Sequence, residues 1–257
     1  MKKLTLIAAA LAFASGAAQA DQILALTSDG QLHRIDSKSL SVTGSMAAKG
    51  TTELRGIDVR PATGDLYALG GQNQLYRIDL QSGSASEAAK LSQNLPGTGQ
   101  AVVDFNPVAD RLRLISPDGT NLRVNVETGE ATVDGKLAYA KDASEAGKMP
   151  NVRAGAYTNS YAGTTATALY DIDTANGHLL LQNPPNDGVL QVVGSIASGL
   201  KNFAMDIASD GKGGNTAYLL NGFTLHTVDL ASGKPTVLGE VKGLKGDVID
   251  IAVLPAK

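Results

Sequence analysis

A short segment recurs along this chain at regular spacing, and that recurrence limits the fold more than any other feature of the sequence. Gln31-Leu32-His33-Arg34-Ile35-Asp36 returns as Gln74-Leu75-Tyr76-Arg77-Ile78-Asp79, as Asn121-Leu122-Arg123-Val124-Asn125 and as Thr224-Leu225-His226-Thr227-Val228-Asp229. Each copy alternates with a period of two and runs into a Ser, Thr or Gly turn (SKSL, LQSG, VETG, LASG). That is a strand entering a hairpin, with the terminal Asp or Asn accepting hydrogen bonds from its own turn. The copies end at positions 36, 79, 125 and 229, so the intervals are 43, 46 and 104 residues. The long interval predicts one further copy. Asn183-Pro184-Pro185-Asn186-Asp187-Gly188, after a strand from Leu179 to Gln182, supplies it and divides the 104 into 58 and 46. Asp173-Thr174-Ala175-Asn176-Gly177 is also turn-like, which leaves the phase of this copy open by one strand.

A second marker precedes each unit: Gly56-Ile57-Asp58-Val59, Val102-Val103-Asp104-Phe105, Gly155-Ala156-Tyr157, Ala204-Met205-Asp206-Ile207 and Val248-Ile249-Asp250-Ile251. With the short strands between the markers, the unit reads strand, turn, strand, turn, strand, turn, strand. That is the length and make-up of one propeller blade. The chain starts at the second strand of a unit (Ile23 to Thr27) and ends on a lone first strand (Val248 to Val253). Pairing these ends completes a fifth blade and hides two sheet edges that would otherwise invite aggregation. The expected fold is therefore an all-β, five-bladed β-propeller closed by its N- and C-terminal strands. A β-sandwich is the alternative, although its strands would not need so regular a unit.

The N-terminus reads as a signal peptide: Lys2 and Lys3, an apolar run from Leu4 to Phe13, then Ala18-Gln19-Ala20 as a small-x-small cleavage site. The run is shorter than the roughly 20 apolar residues of a membrane span. Residues 1–20 are expected to be removed, leaving 21–257 as a single domain in the periplasm or medium, with no membrane insertion. Loss of Lys2 and Lys3 takes the formal charge from −3 to −5, which disfavours nucleic acid as a partner. The absence of cysteine excludes disulfides, thiolate metal sites, a cysteine nucleophile and a lipoprotein anchor.

Several blocks carry a family resemblance: Val103-Asp104-Phe105-Asn106-Pro107 through Asp110-Arg111-Leu112-Arg113, Asn121 to Asn125, Ala156-Tyr157-Thr158-Asn159-Ser160, Leu169 to Thr174, and Gln182-Asn183-Pro184-Pro185-Asn186. In this order they resemble the bacterial family called domain of unknown function 4394. The resemblance spans nearly all of the mature chain and implies an exported, propeller-like protein. It brings no established activity, so no residue inherits a catalytic role from it.

In a propeller the first strand of each blade lines the central channel, so Asp58, Asp104, Asp206 and Asp250 are expected to form an inner ring, broken by Ala156 in the third blade. Two carboxylates about 8 Å apart repel by roughly 2 kcal/mol at an effective dielectric near 20, so the four need compensation. Hard oxygen ligands of this kind suit Ca2+ or Mg2+. Backbone N–H groups, or the arginines Arg60, Arg111, Arg113 and Arg123, would also compensate them. The loops leading into the first strands form a second ring, Glu53 and Arg55, Gln100, Asn151 and Arg153, Lys201 and Asn202, Lys245 and Asp247. This is either a binding rim for a small polar ligand or protein partner, or an ordinary solvated edge. The loop from Ala140 to Pro150, the longest connection, is expected to overhang it.

Enzyme motifs are scarce. The three histidines, His33, His178 and His226, stand in no metal-binding spacing, and no nucleophile elbow, phosphate loop or dinucleotide fingerprint occurs. A glycosidase working through Glu53, Asp58 and Asp104 is conceivable, but the chain has no Trp and only 4% aromatics to stack against sugar rings. The sequence thus points to a non-catalytic binding propeller, with metal-assisted hydrolysis of the lactonase kind, or glycoside hydrolysis, as the alternative.

Overall fold

A computed structural model describes residues 21–196, 200 and 202–255. The expected signal peptide, residues 1–20, and Lys201 of the expected binding rim lie outside the described residues. The strands are β1 (Gln22–Thr27), β2 (Gln31–Asp36), β3 (Ser41–Ala47), β4 (Leu54–Val59), β5 (Leu66–Gly70), β6 (Gln74–Ile78) and β7 (Ala85–Lys90). They continue with β8 (Val102–Asn106), β9 (Arg111–Ile115), β10 (Asn121–Val124), β11 (Ala131–Val133), β12 (Ala138–Tyr139), β13 (Val152–Tyr157) and β14 (Leu169–Asp173). The last are β15 (His178–Gln182), β16 (Val189–Ser195), β17 (Phe203–Ser209), β18 (Asn215–Asn221), β19 (Thr224–Val228), β20 (Pro235–Glu240) and β21 (Val248–Leu254).

These strands make five antiparallel meanders arranged as a ring, a five-bladed β-propeller. Blade 1 is β4 to β7, blade 2 is β8 to β11, blade 3 is β13 to β16, and blade 4 is β17 to β20. Blade 5 takes β21 from the C-terminus and β1, β2 and β3 from the N-terminus. The closing pair runs antiparallel with Ile23 opposite Val253 and Ala25 opposite Ile251. The recurrent sequence segment is the third strand of each blade, β2, β6, β10 and β19. In blade 3 that place is held by β15, so the turn Asn183 to Gly188 is the equivalent one, and Asp173 to Gly177 joins the second and third strands.

Alternation sends successive side chains to opposite sheet faces, so each inner strand feeds two blade interfaces. Five separate apolar clusters fill those interfaces. Leu24, Leu26 and Leu32 of blade 5 pack against Leu54, Ile57 and Leu66 of blade 1, for example. In four blades a register irregularity falls between the third and fourth strands, after Arg34, Leu75, Leu179 and Leu225. A bulge of this kind raises local twist and blunts the exposed outer edge.

Blade 3 is the exception to the simple repeat. β12 lies parallel to β16 on its outer edge, with Ala138 opposite Val189 and Tyr139 opposite Leu190. The segment from Ala140 to Pro150 then runs back to β13, and Ala143 packs on the apolar cluster of Tyr139, Val152 and Leu180.

Candidate functional site: the aspartate ring and the two channel mouths

The five inner strands, β4, β8, β13, β17 and β21, neighbour one another around the axis. Their inward backbone N–H groups face a narrow channel and need acceptors, because a buried unpaired N–H is costly. The recurrent aspartates supply them. Asp58 accepts a bond from the N–H of Phe105 in the next blade at 2.7 Å, and Asp104 from that of Tyr157 at 2.8 Å. Asp206 accepts from Val253 at 2.5 Å, and Asp250 from Ile57 at 2.8 Å. Each carboxylate thus staples its blade to the following one. Asp58, Asp206 and Asp250 also take the N–H of their own next residue. The step from blade 3 to blade 4 lacks a staple, because Ala156 stands in the aspartate position and packs in the apolar cluster there.

The carboxylates crowd together. Asp58, Asp104 and Asp206 are all buried, and one oxygen of each lies within 4.8 Å of one oxygen of the others. Among the described residues no arginine or lysine forms an ion pair with any of the four. Burial therefore drives their affinity for protons upward. Asp58 and Asp104 rise well above the ordinary carboxylate range, first through desolvation and then through repulsion by neighbouring aspartates. Desolvation likewise raises Asp250, and it brings Asp206 to about 6 against its two backbone N–H bonds. The ring is held between opposed demands, since the N–H bonds favour the charged carboxylate and burial favours the neutral one.

The four arginines named as possible partners go elsewhere. Arg60 forks onto Asp110 at 2.6 and 2.8 Å and reaches Glu127 at 2.5 Å, clamping blade 1 to blade 2. Arg111 donates to the carbonyl of Asp110 and Arg123 to Asp134. Arg113, only 1% exposed, donates to Tyr157, Asn121, Asp134 and Asn186 in the seam between blades 2 and 3.

That seam also holds Asp171 of β14. Its carboxylate is fully buried, with no hydrogen-bond partner for either oxygen among the described residues. It occupies the space left by Gly155, where a Cβ would lie 2.2 Å from Asp171 Oδ1. Desolvation raises Asp171 to about 8, opposed by the charge of Arg113. The apolar cluster here is the smallest of the five among the described residues. Polar groups stand where the other blades carry Leu, Tyr or Ala: Arg113 matches Leu24, Tyr67, Tyr170 and Tyr218 in strand register, and Asp171 matches Ala25, Ala68, Leu114 and Leu219. Nothing in the repeat marks Asp171 or Arg113, because both lie on second strands, where period-2 alternation looks the same whichever face is buried.

The two mouths differ. Where the inner strands begin, the rim side chains are largely engaged with one another and with their own loops. Arg55 is 3% exposed and donates to the carbonyls of Leu95, Pro96 and Gly99 at 3.0 Å each. Gln100 donates to the carbonyl of Phe203, Arg153 to Asn151, and Asn202 to Asp247. Glu53 and Arg55 line a hollow of about 120 Å³, while Lys245 and Asp247 are exposed. Where the inner strands end, a larger cleft of about 290 Å³ opens over the axis, between residues of blades 1, 3, 4 and 5, with Asp206 of the ring among its lining residues.

Comparison with known proteins agrees with the architecture. The family model described as a domain of unknown function (DUF4394) matches residues 31–252. A structural genomics protein of unknown function from Bacteroides thetaiotaomicron shares the fold at TM-score 0.57 and 16% identity, over 93% of this chain and 68% of that one. A protein of unknown function from Bacteroides caccae aligns at TM-score 0.46 and 10% identity, over 93% of this chain and 100% of the other. The dihydro-heme d1 dehydrogenase NirN, in complex with DHE, aligns at TM-score 0.41 and 12% identity over 84% of this chain and 43% of its own. No curated protein matches the sequence.

Proposed function

The chain belongs to the DUF4394 family, and from that premise and its channel we propose that it is an exported, non-catalytic binding propeller that holds a hard divalent cation in its aspartate ring. The observation that carries this reading is the cluster of Asp58, Asp104 and Asp206, three buried carboxylates whose oxygens approach within 4.8 Å without a described basic partner. Hard oxygen donors gathered this closely suit calcium or magnesium. A bound cation also reconciles the opposed demands on the ring. The carboxylates can keep their charge, and with it their N–H bonds to the neighbouring blades, while the cation offsets desolvation and mutual repulsion. A carboxylate oxygen that accepts one N–H retains a second lone pair for the ion. Export is supported by the N-terminal charge, apolar run and cleavage pattern, and no described helix is long and apolar enough to cross a membrane.

The test is thermal unfolding of the mature chain, first in chelator and then with calcium or magnesium restored. Either ion at a hundred times its Kd stabilises the folded state by about 2.7 kcal/mol, a rise of roughly 5–11 °C for a chain of this size. Asp104→Asn keeps the side-chain shape and an acceptor for the N–H of Tyr157 but removes a charge, so it should fold and lose most of that rise. A midpoint indifferent to millimolar calcium and magnesium in the wild type would leave the aspartates as blade staples alone.

A further inference from the structure

Where the inner strands begin, the rim holds a buried positive charge with no ion-pair partner among the described residues. Arg55 is 3% exposed, and its guanidinium meets only the carbonyl oxygens of Leu95, Pro96 and Gly99. A guanidinium carries five N–H groups, so one N–H on each Nη is left without a described acceptor. Carbonyl dipoles satisfy donors but do not cancel a charge, and an unpaired buried charge is costly. Burial pulls Arg55 below the ordinary guanidinium range, and Glu53 is the one charged side chain that opposes the pull. Glu53 and Arg55 line the same hollow without pairing with each other, and Glu53 is exposed. The loop beside Arg55 lines that hollow too, with positive φ at Gly97 and Gly99 on either side of Thr98. The N–H groups of these three residues donate to no protein acceptor among the described residues. Successive N–H groups on a turn of this kind make an anion-binding concavity.

We propose that this hollow binds a small zwitterion, an α-amino acid with a short side chain. Its carboxylate would take the remaining Nη hydrogens of Arg55 and the N–H groups of Gly97 to Gly99, and its ammonium would face Glu53. A simple anion would leave Glu53 unmatched, and a simple cation would leave Arg55 so. The hollow, at about 120 Å³, has room for roughly four water molecules. That volume suits glycine, alanine or serine and is too small for a peptide. The site does not rest on the cation proposed for the ring.

Calorimetric titration of the mature chain with three probes of matched size tests it: L-alanine, L-alaninamide, which lacks the carboxylate, and propionate, which lacks the ammonium. L-Alanine should bind saturably and the other two more weakly by about tenfold or more. Amide NMR spectra should show L-alanine moving the signals of Gly97, Thr98 and Gly99. Glu53→Gln changes an exposed side chain, so it should keep the thermal midpoint, weaken L-alanine by about fivefold or more and spare propionate. Arg55→Lys removes the fork and should abolish L-alanine binding. That variant also gives up contacts to the loop from Leu95 to Gly99, so its midpoint is measured alongside, and Glu53→Gln decides the matter if it fails to fold. All titrations are run in chelator, so the ring and the hollow are read separately. Equal binding of the three probes, no saturable heat from L-alanine, amide shifts confined to other loops, or wild-type affinity for L-alanine in Glu53→Gln would overturn the assignment.

Discussion

Asp171 offers the sharpest test of how this propeller is held together. Its carboxylate is fully buried and without a hydrogen-bond partner among the described residues, and desolvation pushes its pKa up to about 8. The unfolded chain releases that proton near pH 4. Because the folded value is the higher one, the stability Asp171 contributes is fully present below about pH 4 and is lost as pH rises toward 8. Between those limits the loss runs at about 1.4 kcal/mol per pH unit. From pH 5 to pH 7 it amounts to about 2.7 kcal/mol, or roughly 5–11 °C in the thermal midpoint. Asp171→Asn keeps the shape and removes the titration. The ring carboxylates also titrate, but they are common to both proteins and cancel in the comparison. Melting curves in chelator at pH 5, 6 and 7 should therefore show the variant gaining on the wild type by about 2.7 kcal/mol between the end points. Parallel midpoints across that range would refute the reasoning. They would mean that Arg113 keeps Asp171 ionised in the folded state and that its burial carries no penalty.

Other perturbations probe the same seam and the closure of the ring. Gly155→Ala would place a Cβ 2.2 Å from Asp171 Oδ1 and should cost about 1–3 kcal/mol. Adding Asp171→Ala should recover most of the loss, and a double-mutant cycle by urea unfolding that gave additive effects would contradict the clash. Arg113→Met leaves the side-chain oxygens of Asn121, Asn186 and Tyr157 without this donor, while Asp134 keeps Arg123, and should lower stability by about 1–3 kcal/mol or more, read as an earlier urea midpoint; a change below about 0.5 kcal/mol would show that the network is dispensable. Removing residues 248–257 deletes β21, and with it the pairing to β1 and the staple from Asp250 to Ile57. Circular dichroism should then show loss of a cooperative melt, and a wild-type transition would contradict closure by the chain ends.

What could be read along the chain was the part of the protein encoded by local period and spacing. Alternation by two gives each strand its faces, and a spacing near 45 residues counts the blades. The offset of the repeat against the termini foretells that β21 pairs with β1, and the marker motifs place Asp58, Asp104, Asp206 and Asp250 on inner strands. Each of these depends on residues close in sequence or on a repeat that superposes distant segments. The partners of individual side chains depend instead on how separate blades meet, and no short-range pattern carries that. Arg55 lies in a motif that looks like an open rim, yet the loop from Leu95 to Gly99 folds over its guanidinium. Arg113 and Asp171 alternate like any half-buried strand residues and become a buried polar seam only because blades 2 and 3 face each other there. The larger cleft opens where the inner strands end because Asp21, Arg60, Tyr161 and Asp210, far apart in the chain, converge over the axis when the ring closes. Blade number and order follow from sequence periodicity, whereas burial, charge balance and the open mouth follow from contacts that exist only once all five blades are in place.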